Sequence, residues 1–184
     1  MFIQTEDTPN PLTLKFIPGR TVLETGTAEF FNVTQEARPP LVESLFQING
    51  VTALFLSYDF ISVTKSDDAH WQVLRPSILG AIMEFYARHD HVTLDNNTKM
   101  QVSEGTQDSE IVKEIKELLE TRIRPAVAQD GGDIVFERFE EGVVYLRMQG
   151  ACAGCPSSTM TLKSGIENML RHYIPEVEEV RAVA

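Results

Sequence analysis

The sequence predicts an α+β protein built as two small α/β-sandwich-like domains, and three observations carry that reading. Apolar residues alternate with period two in several short runs, others recur with helical spacing, and one polar, aperiodic stretch separates two such sets.

The elements follow in chain order. Phe2-Ile3-Gln4-Thr5 and Leu12-Thr13-Leu14-Lys15-Phe16-Ile17 alternate on either side of the turn-rich Asp7-Thr8-Pro9-Asn10-Pro11, as two short strands do. Pro18-Gly19 ends the second, and residues 19–38, weakly periodic, read as mostly irregular. Pro39-Pro40 precedes Leu41, Val42, Leu45, Phe46 and Ile48, a short amphipathic helix closed by Asn49-Gly50. Val51 to Ser57 and Phe60 to Lys65 form a hairpin around Tyr58-Asp59. Leu74, Ile78, Ile82, Phe85 and Tyr86 then mark one face of a helix that ends near His89-Asp90.

Residues 95–108 carry almost no large apolar side chains, so they read as a flexible linker between a domain at 1–94 and one at 109–184. Ser109-Glu110 opens a helix with Ile111, Ile115, Leu118, Leu119 and Ile123 on one face, and Pro125 kinks or breaks it. In Asp130-Gly131-Gly132-Asp133 a glycine takes the left-handed cap, and the acids read as turn chemistry. Ile134 to Phe139 and Val143 to Met148 make a second hairpin. A helix runs from Pro156 to about Tyr173 with Leu162, Ile166, Met169, Leu170 and Tyr173 on one face, and Val177 to Val183 adds a final strand. The second domain is therefore α-β-β-α-β.

The totals exclude several roles. A net charge of -11 over 184 residues repels phosphate backbones and anionic lipid, so neither nucleic acid nor membrane is an expected partner. No apolar run approaches the ~20 residues that span a bilayer, and the start lacks a signal core, which points to an intracellular form. Two cysteines in such a chain make no disulfide scaffold, which fits a reducing compartment.

Those two cysteines, Cys152 and Cys155, stand in Gly150-Ala151-Cys152-Ala153-Gly154-Cys155-Pro156, between the last hairpin strand and the last helix. A CxxC spacing lets two thiols face one centre, whether metal, cluster or reversible disulfide. Pro156 suits the first helical position, so Cys155 sits at a helix start, where the dipole favours a thiolate. The small neighbours leave little to shield either sulfur. Two incidental buried cysteines are the bland alternative, but such cysteines sit singly in apolar runs rather than in a small-residue turn.

Clusters and structural zinc take four ligands, and the chain supplies two thiols. His172, on the same helix as Cys155, lies roughly 25 Å away at 1.5 Å per residue. His70, His89 and His91 belong to the other domain, and His89 and His91 suit a solvated helix end. The missing thiols come most simply from a second copy, which gives a subunit-bridging centre on a twofold axis. The spacing does not decide between zinc and iron-sulfur.

Gly150 to Ser158, with Arg124-Pro125, Asp130 to Asp133 and Ile174-Pro175-Glu176-Val177, resembles the C-terminal domain of NifU-type proteins. Thr8-Pro9-Asn10-Pro11, Leu14-Lys15-Phe16 and Asp59-Phe60-Ile61-Ser62-Val63-Thr64 resemble the N-terminal domain of the Nfu branch. The resemblance implies a labile 4Fe-4S cluster held by Cys152 and Cys155 and shared between two subunits, so that the loaded form is a homodimer. It implies transfer to apo iron-sulfur client proteins, and a cluster donor upstream. The first domain, lacking cysteine and any convergent acid, base or nucleophile set, has a docking or structural task. No catalytic constellation stands out, so the chain reads as a carrier and not as an enzyme. The setting is the cytoplasm if the source is bacterial, or the mitochondrial matrix if a presequence has been removed. Two other classes compete: a thiol-disulfide oxidoreductase using the CxxC, and a zinc-bridged interaction protein.

Overall fold

A computed structural model describes residues 2–33, 38–94, 109–153 and 156–183. The expected linker, 95–108, lies outside the described residues. The chain divides into two compact units, Met1–Met100 and Gln101–Ala184.

In the first unit, β1 (Gln4–Asp7), β2 (Thr13–Ile17), β3 (Ala28–Phe31), β4 (Val51–Leu56) and β5 (Ile61–Lys65) form one sheet in the order β1-β2-β5-β4-β3, every neighbouring pair antiparallel. Two helices, α1 (Pro40–Phe46) and α2 (Trp71–Tyr86), complete it. Leu14 and Phe16 of β2, Leu54 and Leu56 of β4, and Ile61 and Val63 of β5 alternate onto a core shared with Leu41 and Leu45 of α1. Leu74, Ile78, Ile82, Phe85 and Tyr86 of α2, spaced as expected, are all buried in that core.

Two expectations here need correction. The run 19–38 is not wholly irregular, since Ala28–Phe31 is an edge strand paired with β4 from Ala28↔Leu56 to Phe31↔Ala53. Four residues with one exposed aromatic, Phe31, give too short an alternation to announce themselves. The regular helix α2 stops at Tyr86 rather than near His89-Asp90, because the apolar spacing ends there, and one looser turn follows in which the Arg88 and His89 N–H groups share the Phe85 carbonyl at 3.0 and 2.9 Å.

The second unit runs α3 (Glu110–Leu118), a π-helical turn over Leu119–Ile123, α4 (Arg124–Gln129), β6 (Gly132–Glu140), β7 (Val143–Gly150), α5 (Pro156–Tyr173) and β8 (Glu179–Val183). Ser109 caps α3 by accepting the Val112 N–H at 3.4 Å. The disturbance expected at Pro125 takes the form of the π turn: the Arg124 N–H reaches back five residues to the Leu119 carbonyl, just before a proline that has no N–H to donate. β6 and β7 are antiparallel, β7 and β8 parallel, and α5 makes the crossover between the last two. Ile115, Leu119, Ile123, Val127, Ile134, Leu146, Ile166, Leu170 and Val180 form the core, so the helices cover one face of this smaller sheet. The α+β class with two sheets holds. No described helix is long and apolar enough to cross a membrane.

Candidate metal centre

The thiol loop hangs between the end of β7 and the start of α5. Its base is Gly150, whose φ of 64° turns the chain out of the strand. Gly150 pairs with Gly132, and one further bond, from the Ala151 N–H to the Gly131 carbonyl at 3.1 Å, extends the ladder into the loop. The Ala153 N–H donates to the Gly150 carbonyl at 3.1 Å, closing a tight turn, and the Thr159 hydroxyl of α5 donates to the Cys152 carbonyl at 3.1 Å. Cys152 is thereby tied to the strand behind it and to the helix ahead.

The expectation that little shields either sulfur fails at Cys152. Its residue is only 5 % exposed and it belongs to the core of the second unit. Burial pushes its thiol up to about 12, and the negative charges of Asp130 and Asp133 push in the same direction. In this pose Cys152 is a neutral thiol. Cys155 lies outside the described residues, and with it the expected lowering of its thiol pKa at the helix start. α5 does begin at Pro156, as the spacing requires.

The histidines stay where the sequence placed them. His172 is in the last turn of the unbroken α5, edge-on to the Tyr173 ring at 5.0 Å. His89 stacks on Phe85, His91 lies 3.7 Å from a Glu24 oxygen, and His70 precedes α2. Among the described residues, no three His, Cys, Asp or Glu side chains are arranged to hold a metal ion.

The acidic turn is more than turn chemistry. Gly131 takes the expected left-handed conformation, φ 80°, after the Asp130 cap. Asp133, however, is buried beneath the loop and takes a two-pronged bond from Arg124. Its Oδ1 also accepts the Ile134 N–H at 2.8 Å. Sequence reasoning missed this pair. The only available signal was an arginine just before the helix-breaking Pro125 and an acid at the first positions of the following strand.

The family described as "NifU-like domain" matches residues 115–181, and that described as "Scaffold protein Nfu/NifU N terminal" matches residues 3–89. NifU-like protein 4, mitochondrial, of Arabidopsis thaliana is 53% identical over 184 residues, covering 98% of this chain and 65% of that protein. The NFU1 iron-sulfur cluster scaffold homolog, mitochondrial, of Homo sapiens is 50% identical over 184 residues, covering 100% of this chain and 72% of that protein. The chain thus spans less than two thirds of the Arabidopsis relative's length. The solution NMR structure of a NifU-like protein from Saccharomyces cerevisiae is 23% identical, with a TM-score of 0.48, and covers 52% of this chain and 87% of that one. Half the residues are identical to the human relative across the whole chain, and both component domains are matched: the chain belongs to the Nfu family of NifU-like proteins.

Proposed function

We propose that this protein is an iron-sulfur cluster carrier, in which Cys152 and Cys155 of two chains together hold a labile 4Fe-4S cluster that is passed to apo-proteins. The observation that carries the reading is the two-thiol loop itself, standing between a strand end and a helix start in a chain that supplies only half of a cluster's usual ligands. The human relative's name, an iron-sulfur cluster scaffold homolog, supports it. The cluster here is cargo. A twin chain completes the ligand set, and the loaded form is a homodimer.

The neutral state of Cys152 is compatible with this role. Metal binding displaces the thiol proton, and the charge of iron compensates the thiolate that burial and the two acids oppose. A site whose first ligand is costly to ionise holds its cargo less tightly, which suits delivery.

The first unit, matched by the Nfu/NifU N-terminal family, has a docking or structural role toward donors or clients. The relatives are named as mitochondrial proteins, and the setting we infer is a reducing interior of that kind, the mitochondrial matrix or the cytoplasm of a bacterium. The test is anaerobic reconstitution with iron and sulfide, followed by mixing with an apo 4Fe-4S enzyme. A brown protein that restores that enzyme's activity supports carriage. Catalytic reduction of a model disulfide without iron uptake, or a colourless zinc-retaining dimer, would favour a rival reading.

A further inference from the structure

Two glycines stand side by side before β6, and they are glycines for different reasons. Gly131 has a φ of 80°, a backbone conformation that an L side chain adopts only with strain. Gly132, in the strand, takes no such angle. What it lacks is room. A Cβ built on Gly132 would stand 2.6 Å from the Cys152 sulfur, 2.6 Å from the Gln149 carbonyl oxygen and 3.1 Å from the Cys152 Cβ. The two at 2.6 Å are far inside van der Waals contact, and the third is a few tenths of an ångström too close. The neighbouring ladder pair Gly132↔Gly150 and the bond from Ala151 to the Gly131 carbonyl hold the two backbones at this distance.

We propose that Gly132 is a positioning residue for Cys152: the volume of its missing side chain is the seat in which the Cys152 sulfur rests, and filling that seat drives the thiol out of the core. A sulfur at the end of one rotatable bond swings away from an added methyl, whereas the Gln149 carbonyl oxygen, equally close, moves only with the β7 backbone, so the thiol leaves first and the strand ends ease apart to clear the carbonyl. The glycine thus sets how exposed the ligand is before the cluster arrives. The inference takes the ligand role of Cys152 from the reading above, but its test reads the thiol alone and involves no cluster.

The experiment uses the full chain carrying Cys155→Ser, so that one thiol reports, and follows alkylation by iodoacetamide at fixed pH. The seated thiol reacts about 100-fold or more slower in the native chain than in the same chain unfolded in urea. Adding Gly132→Ala raises the native rate by about tenfold or more, whereas Gly165→Ala, which meets nothing within 4 Å in α5, leaves it unchanged. Circular dichroism establishes that each variant is folded. Should Gly132→Ala fail to fold, adding Cys152→Ala removes the sulfur at 2.6 Å and restores part of the lost stability in urea denaturation, and no restoration overturns the seat, as does a native thiol as reactive as the unfolded one. A folded Gly132→Ala chain with an unchanged rate overturns it equally. Cluster loading that fails while both rate predictions hold would count against the carrier reading and leave the seat standing.

Discussion

Arg124 grips Asp133 with both prongs of its guanidinium, Nε to Oδ1 and Nη2 to Oδ2, each at 2.7 Å. The bond joins the start of α4 to the start of β6, directly beneath the thiol loop. It is an unequal pair, the arginine side chain 32% exposed and the aspartate 6%. The aspartate beside it holds the Arg124 guanidinium well above the usual arginine range, so the charge is permanent.

The inequality sets the order of two substitutions. Arg124→Ala leaves a buried carboxylate without its cation and costs about 2–3 kcal/mol, below the full cost of an enclosed pair because the guanidinium is partly in water. Asp133→Asn keeps the shape and leaves the arginine paired with the exposed Glu120, and costs about 1 kcal/mol. Urea denaturation of the two variants checks the order. Equal losses, or a larger loss for Asp133→Asn, would mean that the pair is not what holds the acid.

In the first unit, the Tyr86 hydroxyl donates to the Thr21 carbonyl at 3.0 Å, and burial pushes its pKa from 10.0 up to about 12, against a smaller opposing pull from Arg20. The neutral phenol is thus favoured by the fold. Its contribution is fully present below pH 10 and is lost as the pH rises through about 12. Tyr86→Phe costs about 1 kcal/mol at neutral pH, and the gap to the parent chain narrows between those two values. Stability curves of both chains against pH measure this, and a constant gap would contradict it.

The hairpin between β6 and β7 turns through Glu141, φ 48°, and Gly142, φ 78°. Two positive angles in succession mark the turn type that prefers Asn-Gly. Glu141→Asn supplies a residue that tolerates the left-handed region and removes one charge from an acidic tip, so it stabilises the second unit by about 0.5 kcal/mol. A rise in the thermal midpoint is the expected reading, and a fall would show that the glutamate has a role in the turn.

The features that proved legible in the sequence are those with long local periodicity. The five apolar positions from Leu74 to Tyr86 repeat often enough to define a buried stripe, and the β4–β5 and β6–β7 hairpins carry alternation on both sides of a turn. The location of the cysteines between strand and helix follows from the same logic, as Pro156 marks the helix start. What was hidden depends on return contacts. β3 is an edge strand whose partner comes later in the chain, and Phe31 spoils its alternation. Cys152 looks open beside Ala153 and Gly154, yet it is covered because β6 brings Gly132 and Asp133 back against it. Asp133 reads as a turn acid until α4 delivers Arg124 to it.

The central claim is that one cluster needs two chains, and the mass of the iron-loaded species tests it most directly. After anaerobic reconstitution of the full chain, native mass spectrometry should find a dimer carrying about four irons, with Cys152→Ser and Cys155→Ser each leaving no iron bound. A single chain carrying a complete cluster, or iron loading that survives loss of either cysteine, would contradict it.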